Sequence, residues 1–331
     1  MKSICAWSFA LIVGTLLTTS QHPPSMSRQA VGSESTEFSP ERASFSVRFK
    51  DELSPYHVLA AFVLPGETLN LAVVAEGTDR RFVVAAAAGE IAPAGDRRWR
   101  WTAPTATGLY PLTLAQVEPP DSITLNAFVI VPYSDLEGET LNGYRIGNYP
   151  ARPLRGLSIY RPPRGFIEVT PENQATLVAP HFRLEQFLCK QEGGWPKYVV
   201  LKERLLLKLE VILEAVNRKG YKASTFAILS GYRTPYYNRL IGNVRYSRHV
   251  WGGAADIYID ENPKDEMMDD LNADDRIDYR DADVIYDIID EMYGQPWYAP
   301  FIGGLGRYKR TRGHGPFVHV DTRGFHARWG T

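Results

Sequence analysis

Cysteine is nearly absent from this chain: only Cys5 and Cys189 occur in 331 residues. Once the N-terminal run that carries Cys5 is removed, no intrachain disulfide can form. Stability must then come from an apolar core, to which a bound metal could add. Net charge is lacking too. The 37 Lys and Arg against 38 Asp and Glu leave −1, which removes any general argument for nucleic-acid binding. No apolar run reaches the roughly 20 residues that a membrane-spanning helix needs. The best candidate, "ICAWSFALIVGTLL" at residues 4–17, is too short. Preceded by Met1-Lys2-Ser3 and followed by Thr18 and Ser20, it reads as a cleavable secretory signal over residues 1–20, with an uncleaved membrane anchor as the lesser alternative. The expected location is the periplasm or cell envelope, with no stable membrane span after signal removal. Cys189, in "EQFLCK", reads as a small buried apolar residue.

What is present is the composition of a globular protein, 44% apolar and 23% charged, at a length that favours two domains. Residues 21–44 are Ser-, Pro- and Glu-rich without apolar period and read as a flexible linker. Over 45–135 seven short β runs, from "SFSVRF" to "ITLNAFVIV", are separated by turn formers such as "LPGE" and "PTATG". That pattern predicts an all-β sandwich of immunoglobulin-like type. Residues 136–166, rich in Gly, Pro and Arg, read as a connector. From 167 to 331 helix and strand patterns mix, so this half is expected to be α+β. Its helix runs through "KYVVLKERLLLKLEVILEAVNRKG" and stops at Gly220, and "STFAILS" follows as a strand.

The chemistry is concentrated late in the chain. In "YSRHVWGGAADIYID" (246–260), His249 precedes Asp256 by seven residues. Gly252 and Gly253 argue against one continuous helix. A loop running into a strand fits better, with Asp256 on the face shared by Tyr258 and Asp260. The glycines let the backbone pass closely without a Cβ. A catalytic zinc site takes three protein ligands and leaves one position open. In "RGHGPFVHVDTRG" (312–324), His319 sits on a predicted strand face with Phe317 and Asp321, and His314 in a Gly-flanked loop is the other candidate.

Three ordered segments, "SGYRTPYYN" (230–238), "SRHVWGGAAD" (247–256) and "FVHVD" (317–321), resemble the zinc D-alanyl-D-alanine peptidase superfamily, which shares its fold with the hedgehog signalling domain. The resemblance is closest to the peptidoglycan-peptidase branch and its pattern Ser-x-His-x-x-Gly-x-Ala-x-Asp. Ser247, His249, Gly252, Ala254 and Asp256 fill every position. It covers about residues 180–330. It implies zinc held by His249, Asp256 and His319, with Arg233 reaching into the site as a catalytic and substrate-binding cation. Ser247 is implied as a further substrate contact. A fixed guanidinium suits both the carboxylates of stem peptides and the oxyanion of peptide hydrolysis. One position departs from the family. Many relatives place a Glu or Asp three residues before the last zinc histidine, where this chain has Pro316. His314 is the expected substitute as general base, and Asp321 is expected to orient a ligand histidine.

A second ion is suggested by charge. Residues 260–291 hold fourteen Asp or Glu against three Lys or Arg. Within them "DLNADDRIDYRD" fits a calcium loop with Asp270, Asn272, Asp274, Arg276 (through its carbonyl), Asp278 and Asp281 as ligands, and resembles the loop of dockerin modules. Its departure is Asp275 where the loop calls for Gly. The overall expectation is an exported zinc peptidase acting on peptidoglycan peptides, of D,D-carboxypeptidase or endopeptidase type, with calcium pinning the acidic insertion. The competing class is a non-catalytic, zinc-containing cell-wall binding protein.

Overall fold

Period-two patterning dominates the first third of the chain, and the computed structural model, which describes residues 38–330, turns it into two sheets. The signal-like run and residues 21–37 of the linker lie outside the described residues. Nine strands follow one another: β1 (Arg42–Phe49), β2 (Glu52–Tyr56), β3 (Val58–Val63), β4 (Thr68–Val74), β5 (Phe82–Ala86), β6 (Glu90–Gly95), β7 (Arg98–Thr102), β8 (Gly108–Gln116) and β9 (Asp121–Val129). They form one sheet of order β2-β1-β4-β7-β6 and another of order β3-β9-β8-β5, with β3 parallel to β9. Inward residues such as Val47, Leu59, Leu71, Trp101 and Leu125 are buried between them. The edge of Phe45 against Phe82, with ring centroids 5.0 Å apart, joins β1 to β5.

All seven β runs of the sequence are strands, and two further strands were not legible. These are β2, "ELSPY", and β6, "EIAPAG". Both carry proline and both lie at the edges of the five-stranded sheet. An edge strand can hold a residue that cannot donate to a neighbour, so low β propensity there costs little.

Short paired segments continue the chain: β10 (Val131–Pro132), β11 (Thr140–Leu141), β12 (Tyr144–Arg145), β13 (Gly165–Val169), β14 (Leu177–Ala179), β15 (Phe182–Arg183) and β16 (Lys197–Val199). The Gly- and Pro-rich segment expected as a connector is packed rather than solvated. Tyr144, Tyr149 and Tyr160 are buried in it. Tyr149 Oη bonds the hydroxyl of Tyr232 and the carbonyl of Val250, and the indole of Trp251 donates to Arg161 O at 2.8 Å.

Helix α1 (Glu203–Arg218) is the mast between the two halves. It is buried on almost every side, which amphipathic patterning alone does not require, and two of its three acids are engaged by the N-terminal sheets, while Glu210 accepts from the amide of His181. Glu214 accepts from Tyr56 Oη at 2.9 Å and from Arg42, and Glu203 accepts from the amide of Phe62 and from Lys50. On the other side Lys208 donates to the carbonyl of Asp321 at 2.8 Å. Full burial pushes the Lys208 ammonium down to about 7, against the opposing pull of Asp321. The described residues accordingly form one compact unit. Among them no helix is long and apolar enough to cross a membrane.

The remaining elements are β17 (Ala227–Ser230), the short helix α2 (Pro235–Leu240), β18 (Ala254–Tyr258), helix α3 (Tyr279–Met292), β19 (Gly304–Tyr308), β20 (Phe317–Asp321) and β21 (Ala327–Trp329). They build a five-stranded sheet of order β17-β18-β20-β19-β21. Overall the protein is mixed α+β, mostly strand with few helices. The C-terminal sheet places the site. One row crosses all five strands: Ser230 pairs Asp256, Asp256 pairs His319, His319 pairs Gly306, and Gly306 pairs Trp329. Directly paired residues point to the same face, so Asp256 and His319 are neighbours by register.

Candidate metal centre

The third member of the cluster comes from outside the sheet. Residues Arg248–Trp251 form a single 3-10 turn, and Gly252 ends it in the left-handed conformation at φ 63°. That reversal drops His249 over the start of β18. Gly252 also passes against the backbone of Val200, where a Cβ would stand 2.1 Å from the carbonyl oxygen. Only glycine satisfies both conditions. The side chains of His249, Asp256 and His319 are all buried.

Their atoms converge. His249 Nε2 lies 3.2 Å from Asp256 Oδ1 and 3.2 Å from His319 Nδ1, and His319 Nδ1 lies 2.8 Å from Asp256 Oδ1. Tetrahedral ligands at zinc's usual bond lengths stand about 3.3 Å apart, so this donor set fits the ion with little adjustment. The outer nitrogens are also provided for. His249 Nδ1 lies 2.7 Å from the carbonyl of Gly231, which fixes Nε2 as the inward lone pair. His319 Nε2 lies 3.2 Å from Asp321 Oδ2. Such partners hold ligand imidazoles in the right tautomer and orientation. Among the described residues this is the one group of three His, Cys, Asp or Glu side chains placed to hold a metal ion.

Electrostatics agree with a cation site. Burial works against ionisation of Asp256, but His249 and His319 outweigh it and hold the carboxyl well below the usual carboxylate range. Burial pushes His249 down, so it stays neutral. Burial would lower His319 as well, yet its bonds to Asp256 and Asp321 raise it. His319 is therefore the group that takes up a proton when no cation is bound. A ligand must be deprotonated to bind, so metal affinity is expected to fall as pH drops through the raised His319 pKa. Competition with a zinc indicator at pH 6 and pH 8 checks this; equal dissociation constants would contradict it.

Asp321 is fully committed. Besides His319, its oxygens accept from the amide of Gly304 at 2.8 Å and from Arg323 Nε at 2.9 Å. It is buried, and these partners outweigh the burial penalty and keep it ionised. No lone pair is left for moving a substrate proton. Its geometry is that of a carboxylate orienting His319.

The triad opens into a cavity of about 870 Å³, also lined by Arg233, Ser247, His314 and Phe317. Arg233 donates from Nε to Ser230 Oγ at 2.8 Å and from Nη2 to Asp256 Oδ2 at 2.7 Å. It is thus tethered to one would-be ligand. Ser247 stands at the head of the 3-10 turn. His314 Nδ1 lies 2.8 Å from the carbonyl of Gly315, which makes Nδ1 the protonated nitrogen and leaves the Nε2 lone pair free. Pro316, at the position where the resemblance calls for an acid, is buried. Sequence reasoning did not single out Lys190, Arg245, Arg248, Arg323, Tyr308 or Trp329, which line the same cavity. No spacing marks them: Arg248 sits in a free position of the Ser-x-His pattern, and Trp329 reaches the site only through strand pairing.

The acidic loop is threaded by hydrogen bonds of its own. Asp275 does adopt φ 62°, the conformation expected at the sixth loop position. But the carboxylates turn to the backbone. Asp270 accepts from the amides of Asp274 and Asp275, Asn272 from Asp274, and Asp274 from Arg276. Asp278 caps α3 through the amide of Arg280, and buried Asp281 spends both oxygens on the amides of Leu271, Asn272 and Asp278. Calcium receives no support: among the described residues the group of side chains placed to hold a metal ion is His249, Asp256 and His319, not this loop.

Comparison with known proteins adds one finding. Residues 180–280 match the family model described as Peptidase M15, a stretch that includes Arg233, His249 and Asp256 and ends before His319. No curated protein matches, and no solved structure matches. The match supports placing this region in the zinc D-alanyl-D-alanine peptidase (M15) superfamily, whose members are zinc metallopeptidases with peptide substrates.

Proposed function

We propose that this protein is an exported zinc peptidase that hydrolyses D-amino-acid-containing peptide bonds in peptidoglycan stem peptides. The observation that carries the reading is the convergence of His249, Asp256 and His319 at one row of the sheet, with the outer nitrogen of each histidine already partnered. Zinc, when bound there, supplies Lewis acidity that activates water and polarises a carbonyl. The rest falls to the chain. His314, with its free Nε2, takes the proton of the attacking water and returns it to the leaving amine. Arg233 meets a substrate carboxylate with its remaining N–H groups. Asp321 keeps His319 oriented.

Charge supports the substrate class. Arg233 and Arg323 are paired with Asp256 and Asp321. Among the described residues Lys190, Arg245 and Arg248 have no carboxylate partner, and Arg248 is buried with its Nε unbonded. A cavity with unpaired cations selects an anionic peptide, and stem peptides are rich in carboxylates. The N-terminal sheets, in this reading, are an immunoglobulin-like sandwich that braces α1 from the far side.

The test is incubation of purified muropeptides with the zinc-loaded full chain, analysed by mass spectrometry. Wild type is expected to release a D-amino acid or split a crosslink. His314→Ala is expected to lower the rate roughly 10²- to 10⁴-fold, the usual span for a lost general base. Bound zinc without any cleavage would replace this reading with the wall-binding one. Full activity in His314→Ala would remove His314 from the mechanism.

A further inference from the structure

The cavity wall holds a hydrogen-bonded pair that the steps above leave unused. Trp329 ends the row that contains Asp256 and His319. Its indole lies flat across β19 because two positions there lack side chains. A Cβ on Gly306 would stand 2.4 Å from Trp329 Nε1, and one on Gly304 would stand 2.5 Å from the far edge of the ring. From this seat the indole touches His319 on one side, with ring centroids 5.1 Å apart. On the other side Nε1 donates to Tyr308 Oη at 2.7 Å.

The direction of that bond matters. An indole N–H can only donate. Tyr308 Oη is therefore the acceptor, and its own hydrogen is free for another partner. Among the described residues no acceptor takes it. The ring is held in place by Phe317, its cross-strand partner, stacked at 4.5 Å and 11°. Tyr308 lies two residues from Gly306 on β19, so it shares a sheet face with His319 and Asp256. It lines the same cavity. Arg233, the other donor near the triad, has two of its three nitrogens engaged by Ser230 and Asp256. The Tyr308 hydroxyl is thus a neutral donor on this wall whose hydrogen is uncommitted and whose ring and oxygen are both held in place.

We propose that the Tyr308 hydroxyl binds the oxygen of the scissile carbonyl as it becomes tetrahedral, with Trp329 as the positioning residue that aims it. The inference rests on the peptidase reading above and assigns its oxyanion contact. The hydrogen bond strengthens as negative charge builds on that oxygen, and the proton stays on Tyr308 throughout. Burial raises the phenol's pKa, more than the Trp329 bond lowers it, and keeps it protonated. A donor of this kind acts on the transition state and contributes little to ground-state binding.

The experiment uses the zinc-loaded full chain and two probes. One is the muropeptide that wild type cleaves. The other is a phosphinate analogue of that same bond, whose tetrahedral phosphorus mimics the intermediate. For Tyr308→Phe, kcat is expected to fall about 10²- to 10³-fold with KM nearly unchanged. Affinity for the phosphinate, measured by calorimetry, should fall in similar proportion, while zinc content and melting temperature hold. Trp329→Phe, which keeps an aromatic ring against His319, should give a smaller loss of both, and the double variant should match Tyr308→Phe alone, because the lost indole N–H acts through the phenol. Phosphinate affinity and kcat within about threefold of wild type in Tyr308→Phe would overturn the assignment. So would an effect confined to KM. A wild type that cleaves and binds while Tyr308→Phe behaves identically leaves the peptidase reading standing and sinks only this inference. A wild type that does neither sinks both.

Discussion

His249→Ala is expected to lose bound zinc and to cut kcat/KM by roughly 1000-fold or more, the consequence of removing several kcal/mol of transition-state stabilisation. The argument is geometric. His249 alone bridges the triad from outside the sheet, with Nε2 3.2 Å from both Asp256 and His319. Its ring is buried and anchored at Nδ1 by Gly231 O. No other described His, Cys, Asp or Glu stands where it could take over. Alanine leaves two ligands from adjacent strands, and zinc ordinarily takes at least three from the protein. Elemental analysis and steady-state kinetics read the outcome. The variant should still fold, because no backbone bond depends on the imidazole except that to Gly231. A His249→Ala protein that keeps stoichiometric zinc would refute the ligand assignment.

Gly252→Ala is expected to be strongly destabilising for so small a substitution. Two costs add. The residue sits at φ 63°, where an L side chain costs roughly 1–2 kcal/mol. The new Cβ would also stand 2.1 Å from Val200 O and 2.7 Å from the amide nitrogen of Leu201. Those atoms belong to the segment leading into α1, and Gly252 O accepts from Lys202 N. Neither backbone can yield without shifting the helix or the turn that carries His249. Overpacking of this kind costs about 1–3 kcal/mol more. The sum is a large share of the roughly 5–15 kcal/mol that holds a typical domain together. Thermal denaturation should show a drop well beyond that of Gly242→Ala, a positive-φ glycine with nothing near its Cβ. Equal drops would mean that the contact with Val200 is not what demands glycine.

The same glycine shows how far local sequence reasoning reaches. A permissive turn between His249 and Asp256 was readable from "HVWGGAAD", since glycines there had an obvious purpose. The partner that enforces it, Val200, lies 52 residues earlier and carries no signal. Strands with β-branched residues and clear alternation, such as β9 and β20, were legible. The proline-bearing edges β2 and β6 were not, because edge pairing tolerates residues that pattern reading rejects. The Gly- and Pro-rich stretch before residue 166 looked like a solvated connector by composition. Its Tyr149 instead supplies a buried hydroxyl that braces Tyr232 and the turn at Val250.

The site followed the same division. His249, Asp256 and His319 were visible because a motif ties two of them together and a strand pattern presents the third. Tyr308 and Trp329 were invisible because their relation is a matter of register: "GGLGRY" and "ARW" mean nothing to each other until β19 and β21 pair. The acidic loop is the opposite case. Its residue types matched a calcium loop, but the pattern does not say whether a carboxylate faces an ion or a backbone amide. Here Asp270, Asp274, Asp278 and Asp281 all accept backbone amides, and Asp281 in particular closes the loop and the first turn of α3.

The most direct test of the central claim is the metal content of the purified protein. Elemental analysis of wild type, refolded or dialysed with zinc and then freed of loose metal, should find one zinc per chain. Asp256→Ala, which removes the carboxylate shared by both histidines, should find none. Zinc bound equally by both proteins, or by neither, would contradict the account, because the convergence of His249, Asp256 and His319 would then serve packing rather than a metal ion.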